Sequence, residues 1–276
     1  MALIHRRASV KAMTADRARP MRTLERIGLQ LYTVRAAMAK DFDGTLARVA
    51  AIGYREVEFA GYFDHSPADV RASLDRHGLS APSAHIGTAA ALTRDWARTC
   101  EAAKVAGHRY LVVAGLAEGE RRTLDDYRRV ADLFNSAGES ARRMGMRLAY
   151  HNHDFEFAPM ARKLPYDILL ERTDPALVAM EMDLFWVTRA GQNPLAWFDR
   201  YPGRFEMVHV KDMDGSPERR MVDVGRGTID FSRIFANGAR AGIRHYFVEH
   251  DDPQPPALAS AKASYDALAR MQLLQP

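Results

Sequence analysis

Short runs of β-forming residues alternate with longer amphipathic stretches along almost the whole chain. Eight strands are predicted, at Ile27–Thr33, Glu56–Ala60, Ala81–Ile86, Tyr110–Ala114, Arg147–His151, Val178–Asp183, Glu206–Val210 and His245–Glu249. The stretches between and after them predict helices at Gly44–Ala51, Pro67–His77, Trp96–Ala106, Leu124–Met144, Tyr166–Glu171, Pro194–Arg200, Phe231–Ala241 and Leu258–Leu273. Parallel strands need a connection of this length, so the alternation predicts a parallel sheet. Eight such units in about 250 residues predict an α/β fold with a single (β/α)8 barrel.

An open, doubly wound sheet is the alternative fold for this pattern. That fold usually carries a glycine-rich phosphate loop after its first strand. Here the first strand continues into Gln30-Leu31-Tyr32-Thr33, which contains no glycine, and Val224-Gly225-Arg226-Gly227 follows the seventh strand as an incomplete version of the motif. The sequence therefore favours one barrel domain over residues 27–276.

Basic residues are concentrated before this domain. The chain has a net charge of +4, but residues 1–26 hold seven basic and two acidic side chains, which leaves the remainder near −1. We expect residues 1–26 to form a flexible leader. A nearly neutral body disfavours a nucleic-acid partner and an endonuclease-like function, because phosphate binding needs basic residues.

Targeting signals are weak in this chain. Arg6-Arg7 could begin a twin-arginine export signal, but Lys11 and Asp16 interrupt the apolar region that should follow. No apolar run reaches the ~18 residues of a membrane span. We expect a cytoplasmic protein without a membrane partner, and we leave open a periplasmic location and a homo-oligomer.

Carboxylate and imidazole side chains stand at or near the ends of six predicted strands. Because strand ends in a barrel converge on one mouth, these side chains should lie close together. Each has an ordinary explanation when taken alone, such as helix capping by an Asp or core packing by a His. Together they would repel or stay unpaired without a cation, and their types suit Mn, Co, Zn or Mg. The sequence predicts one divalent metal ion among Glu58, His85, His151, Asp183, His209 and Glu249.

The segment Tyr150-His151-Asn152-His153-Asp154-Phe155-Glu156-Phe157 is the most unusual in the chain. Strand alternation places His151 and His153 on one side, if the strand extends that far. We interpret one of them as a metal ligand. The alternative is that both are loop histidines that bond only to backbone groups.

Four segments of the chain resemble the sugar phosphate isomerase/epimerase family. That family shares the xylose isomerase-like TIM barrel with inosose dehydratase, ketose 3-epimerases and endonuclease IV. The resemblance covers the chain from Ile27 onward and is specific for the superfamily but weak for the substrate. It rests on Ile27-Gly28-Leu29-Gln30-Leu31-Tyr32, on the segment 150–157, on Met182-Asp183-Leu184-Phe185-Trp186 and on His209-Val210-Lys211-Asp212.

The resemblance implies four metal ligands, one after each of strands five to eight. Asp183, His209 and Glu249 match the last three of them, but His151 stands where relatives have a glutamate. Glu156 resembles the substrate-contacting glutamate of the same loop. We prefer His151 as the fourth ligand, with Glu156 as the alternative. Further substrate contacts are expected from Gln30, Glu58, His85, His153, Trp186, Lys211 and Arg226.

The chemistry that follows is proton abstraction beside the carbonyl of a small sugar-like substrate, with the cation stabilising the enediolate. Glu249 is the leading base, and His151 or Glu156 would be the partner acid or base. The main hypothesis is a metal-dependent isomerase or epimerase of a keto-sugar or sugar phosphate. Loss of a β-hydroxyl from the same intermediate would instead give an inosose or keto-sugar dehydratase or hydratase, a lyase. A non-catalytic carbohydrate-binding protein is the alternative from another class.

Overall fold

Eight parallel strands close into a barrel in the computed structural model, which describes residues 23–24 and 26–273. Most of the predicted leader over residues 1–26 lies outside the described residues. Each strand pairs with the next along the chain, and the last pairs with the first through Gly28 and Phe247. The strands are β1 Gly28–Gln30, β2 Glu56–Ala60, β3 Ser80–His85, β4 Tyr110–Val113, β5 Arg147–His151, β6 Val178–Asp183, β7 Phe205–Val210 and β8 His245–Val248. The predicted barrel is confirmed.

Helices cover the outside of the barrel. They are α1 Arg35–Lys40, α2 Phe42–Ile52, α3 Pro67–His77, α4 Trp96–Ala106, α5 Leu124–Arg143, α6 Pro165–Arg172, α7 Leu184–Arg189, α8 Pro194–Arg200, α9 Phe231–Ala236, α10 Gly238–Ala241 and α11 Ala257–Ala269. Their ends follow local chemistry: Ser66 caps the first turn of α3, and Gly78 ends it in the left-handed conformation. None of the helices in the described part of the chain is long and apolar enough to cross a membrane.

Three details of the predicted elements are wrong. The first strand ends at Gln30 rather than Thr33, because the Gln30 side chain accepts the N–H of Tyr32 and starts a 3-10 turn over Leu31–Val34. The helix predicted over Phe231–Ala241 is two helices that meet at Asn237. Sequence periodicity also missed the six-residue helices α1 and α7, which are too short to show a repeat.

An apolar plug fills the lower part of the barrel interior. Alternate residues of a strand face the same side, so the inward positions of each strand stack from base to mouth. The plug consists of Tyr110, Val112, Ala149, Ala179, Met207 and Phe247, all buried. Gly28 makes room for it, since a Cβ there would stand 2.4 Å from Phe247 Cδ1. The next inward position above Ala149 is His151, and above Met207 it is His209, so polar residues occupy the upper part.

A short hairpin follows β7 and holds the glycine-containing loop. Asp212–Met213 pairs with Met221–Val222, and the loop comes next. The N–H groups of Gly225 and Gly227 each donate to Asp212 Oδ2 at 2.9 Å. A Cβ on Gly227 would stand 2.2 Å from Asp212 Oδ1. The loop that resembles a phosphate motif in sequence is thus wrapped around a carboxylate of its own chain.

Candidate metal centre

Four predicted ligands meet at the carboxyl ends of four successive strands. His151 and Asp183 end β5 and β6, His209 lies near the end of β7, and Glu249 directly follows β8. One ligand atom from each lies within 4.8 Å of the other three, and all four residues are buried. His151 Nε2 is 3.2 Å from Asp183 Oδ2, and His209 Nδ1 is 2.7 Å from Glu249 Oε2. The structure therefore brings together the set that the sequence predicts.

The donor atoms of this group suit a divalent cation. His209 Nδ1 is buried and has no hydrogen-bond partner among the described residues, although the Glu249 carboxylate is beside it. His151 Nδ1 lies 3.1 Å from the carbonyl oxygen of Ala114, which can only accept, so Nδ1 carries the hydrogen and Nε2 is free to bind an ion. Two imidazole nitrogens and two carboxylates are a donor set that borderline divalent metals prefer.

Asp183 has a second contact that explains its position. Its Oδ1 accepts the N–H of Trp186 at 2.9 Å and caps α7, while Oδ2 faces His151. The helix-capping explanation for this residue and the ligand prediction are therefore compatible, because each uses a different oxygen.

Lys211 lies among the carboxylates at the mouth. Its Nζ is 3.0 Å from Asp183 Oδ2, 2.7 Å from Glu249 Oε2 and 2.7 Å from Asp251 Oδ1. Although burial opposes the charge, Asp183 and Glu249 raise the pKa of Lys211 well above its usual value. Burial likewise opposes ionisation of Asp183, but Lys211 lowers the pKa of that carboxyl to about 2. The lysine is a fixed cation that keeps its neighbours ionised.

A cavity of about 660 Å³ opens onto the group. Three predicted substrate contacts line it, His85, His153 and Lys211, together with the ligands His151 and Glu249. Burial and the nearby His151 lower the pKa of His153 to about 3, so its ring is neutral. Trp186 is not part of the wall but packs behind it, with its ring 5.6 Å from that of His153. The other lining residues are Tyr32, Ala60, Gly61, Ile86, Gly87, Ala114 and Asp251.

Gln30 and Glu58, predicted as substrate contacts, lie elsewhere. Both are fully buried and outside the cavity wall. Gln30 Nε2 donates to Glu58 Oε2 at 2.8 Å, and that oxygen is 2.7 Å from His209 Nε2. These two side chains lie one inward position below the mouth, in contact with a metal ligand rather than with the cavity.

Glu156 is also placed away from the group. Its carboxylate bonds to the hydroxyl of Tyr150 and accepts the N–H of His153 at 2.9 Å. Tyr150 precedes His151 on β5 and therefore faces the opposite side of the strand. Burial raises the pKa of Glu156 to about 7. Of the two alternatives for the fourth ligand, the geometry favours His151.

Arg226 points to solvent. Its side chain is 72% exposed, 4.0 Å from Asp223 Oδ2, and it lines a different cavity together with His250. The N–H groups of the flanking glycines, Gly225 and Gly227, donate to the carboxylate of Asp212. The structure does not bring Arg226 to the cavity at the mouth.

Sequence reasoning missed two functional candidates. Asp251 lines the cavity and pairs with Lys211, and buried Glu181 bonds to His85 Nε2 at 2.7 Å. A signal existed for Glu181, because it shares the inward face of β6 with Asp183. Asp251 lies beyond its strand, and only the fold brings it to Lys211.

A family model described as the xylose isomerase-like TIM barrel matches residues 46–271. Inosose dehydratase of Geobacillus kaustophilus (strain HTA426) is 26% identical over 257 residues, which cover 79% of this chain and 82% of that protein.

Two solved structures show the same fold. A sugar phosphate isomerase/epimerase from Parabacteroides distasonis ATCC 8503 is 25% identical, with a TM-score of 0.78 and coverage of 89% of this chain and 98% of that one. The IOLI protein, crystallised with a zinc atom, is 16% identical, with a TM-score of 0.69 over 88% of this chain and 96% of that one. The predicted fold and the family resemblance are confirmed.

Proposed function

Since the chain belongs to the xylose isomerase-like TIM barrel family, we propose that it is a divalent-metal-dependent dehydratase of an inosose or a similar small keto-polyol. The inosose dehydratase relative favours this lyase reaction over the isomerase or epimerase that the sequence analysis put first. One observation carries the proposal: His151, Asp183, His209 and Glu249 converge within 4.8 Å on the cavity at the mouth.

His151, Asp183, His209 and Glu249 would hold the ion. When bound, a divalent cation supplies positive charge that polarises a carbonyl and stabilises the oxyanion formed beside it. The zinc in the IOLI protein supports such a site, and the nitrogen and oxygen donors also suit Mn or Co.

Glu249 is the proposed base. It lines the cavity, and although burial opposes ionisation, Lys211 and His209 lower its pKa well below the usual range. The carboxylate is therefore ionised, which is the form that a base needs in order to take the proton from the carbon beside the substrate carbonyl. Lys211 remains charged after this transfer and holds the Glu249 carboxyl in place.

Dehydration also needs an acid, because the departing hydroxyl must leave as water. His85 is our candidate, since it lines the cavity and its Nε2 contacts the buried carboxylate of Glu181 at 2.7 Å. This backing orients the ring and favours its protonated form. His153 is neutral and can bond a substrate hydroxyl without donating a full charge. The net step moves a C–H proton to Glu249, forms a C=C bond and releases the β-hydroxyl as water with a proton from His85.

The test is a panel of inososes and keto-sugars incubated with the enzyme in heavy water and followed by NMR. Dehydration predicts an unsaturated product or its dione tautomer, loss of activity on chelation and recovery with Mn²⁺, Co²⁺ or Zn²⁺. Deuterium at one carbon with the skeleton retained would instead support isomerase or epimerase chemistry, which the solved isomerase/epimerase structure keeps as the second candidate. No exchange and no product with any substrate would reject both.

A further inference from the structure

Two buried side chains, Gln30 and Glu58, lie beneath the metal ligands and form a hydrogen-bonded row with the ligand His209. Gln30 from β1 donates through Nε2 to Glu58 Oε2 of β2 at 2.8 Å, and the same oxygen lies 2.7 Å from His209 Nε2 of β7. All three side chains are fully buried, and none lines the cavity. We call them the Gln30–Glu58–His209 row. Gln30 and Glu58 are therefore polar side chains in the barrel interior that cannot contact a substrate in the cavity.

We propose that Glu58, held by Gln30, is a positioning residue for the metal ligand His209. The inference rests on the metal site of the proposed function. An ionised carboxylate can only accept, so a hydrogen bond to Glu58 places the imidazole hydrogen on Nε2. Nδ1 is then bare, and it is the nitrogen that faces Glu249 and Asp183. Glu58 thus selects the tautomer that can bind an ion and fixes the plane of the ring.

Gln30 has its own orientation fixed by the backbone. Its Oε1 accepts the N–H of Tyr32 at 3.0 Å, which turns Nε2 toward Glu58. The Gln30 side chain therefore presents its N–H group to the Glu58 carboxylate, whereas its oxygen would repel that carboxylate. Through this bond, the turn that follows β1 determines the position of a ligand on β7.

Glu181 is the competing carboxylate. It lies 3.3 Å from His209 Nε2, but it is closer to His85 Nε2, at 2.7 Å. Each carboxylate therefore has a nearer histidine of its own: Glu58 has His209, and Glu181 has His85. Replacing Glu181 should disturb His209 less than replacing Glu58 does.

A second ion is the alternative use of these groups, because Glu58, His85, Glu181 and His209 also offer ligand atoms within 4.8 Å of one another. That arrangement requires a bare Nε2 on His209. A histidine that binds one ion through Nδ1 would then have to lose its last N–H hydrogen. The Glu58 hydrogen bond and a second ion are mutually exclusive, so metal stoichiometry separates them.

The chain contains a matched control on the same strand. Glu56 Oε2 lies 2.8 Å from His245 Nδ1, and both residues are buried. This pair is a carboxylate–imidazole contact like that of Glu58 and His209, but it lies one inward position nearer the base of the barrel, beside the apolar plug. Glu56→Gln therefore reports what the loss of a buried carboxylate–histidine contact does to the fold alone.

The experiment compares the metal-free full-length wild type, Glu58→Gln, Glu181→Gln and Glu56→Gln. Zinc and Co²⁺ affinities are measured by competition with a chromophoric chelator, together with bound metal per chain, the visible spectrum of the Co²⁺ form and thermal midpoints. We expect Glu58→Gln to weaken metal binding about 10- to 100-fold and to alter the Co²⁺ spectrum. Glu181→Gln should have a smaller effect, and Glu56→Gln should leave affinity and spectrum unchanged.

Three outcomes would overturn the proposal: wild-type affinity and spectrum in Glu58→Gln, an equal loss in Glu56→Gln, or two ions per wild-type chain. Should Glu58→Gln fail to fold, Glu58→Asp carries the same test, because the shorter carboxylate retreats from Nε2. A wild type that binds no metal would reject the proposed function itself. Metal binding that is indifferent to Glu58 would reject only this inference.

Discussion

The strand β2 carries the same carboxylate–imidazole pairing at two successive inward positions, Glu56 and Glu58, with different surroundings. At the base, Glu56 bonds to His245, and the contact lies beside the apolar plug, with Tyr110 edge-on to the imidazole ring. Just below the mouth, Glu58 bonds to His209, whose other nitrogen faces two more carboxylates. A buried carboxylate–imidazole contact is therefore not by itself a functional signal. What marks the mouth is the number of further ionisable groups around the second ring nitrogen.

Loss of a mouth carboxylate should produce the largest effect. Glu249→Gln keeps the size of the side chain but removes the proposed base and a metal ligand. We expect the turnover number on the substrate found by the NMR panel to fall about 10²- to 10⁴-fold. Steady-state kinetics with saturating metal provide the measurement, and Glu56→Gln is the control from the base. Comparable rates in the two variants would break the distinction between mouth and base.

The buried carboxylate of Glu156, which follows β5 and lies outside the barrel, should make the stability of the fold depend on pH. Burial raises the pKa of Glu156 to about 7 from the ordinary 4.5, so its contribution is fully present below about pH 4.5 and is lost as the pH rises through about 7. Relative to Glu156→Gln, the wild type should lose roughly 3 kcal/mol of unfolding free energy between pH 4 and 8. Urea denaturation of the metal-free proteins measures this difference. Parallel profiles in the two proteins would contradict the buried, hydrogen-bonded placement.

Metal binding should stabilise the fold through the mouth alone. An ion that binds only the folded chain adds about 2.7 kcal/mol at a free concentration 100 times its Kd. We expect chelation to lower the thermal midpoint of the wild type and of Glu56→Gln by the same amount. In His209→Ala the midpoint should not respond to metal. A metal response that survives in that variant would show that the ion binds elsewhere.

A change at the base should affect stability without touching metal affinity, and this is the smallest expected effect. In Gly28→Ala the added methyl would press on the ring of Phe247, at a distance of 2.4 Å before any relaxation. Overpacking of this kind costs about 1–3 kcal/mol. Chemical denaturation measures the loss, and chelator competition should return the wild-type Kd. A weaker metal affinity would mean that the plug and the mouth are coupled.

The sequence was sufficient for the barrel and for the six candidate ligands at its mouth, and the family resemblance reduced these to the four that the structure brings together. Strand ends converge in any parallel barrel, so Asp183, His209 and Glu249 could be grouped from their positions alone. His151 was preferred because it stands where relatives have the ligand glutamate, and it does end β5 on the inward face, whereas Glu156 comes after the strand has ended. Beyond that point, spacing carries no information about the side on which a residue lies.

Depth within the barrel could not be read from the sequence. Gln30 and Glu58 have the correct inward parity, but a period of two does not say whether a residue reaches the cavity or stops one layer below it. Asp251 was missed for a related reason. Its contact with Lys211 joins residues 40 positions apart in the chain, and a loop after β8 must turn inward to make it. Such contacts depend on loop paths that local patterns do not encode.

Gly28 in the first strand has a consequence for access to the barrel interior. By admitting the Phe247 ring, it lets apolar side chains fill the barrel axis below the mouth. Under the proposed function, the ion, the substrate and the released water would all pass through the mouth. Bound substrate should therefore slow dissociation of the ion. The order in which the ion and the substrate bind would then depend on the fold as well as on their affinities.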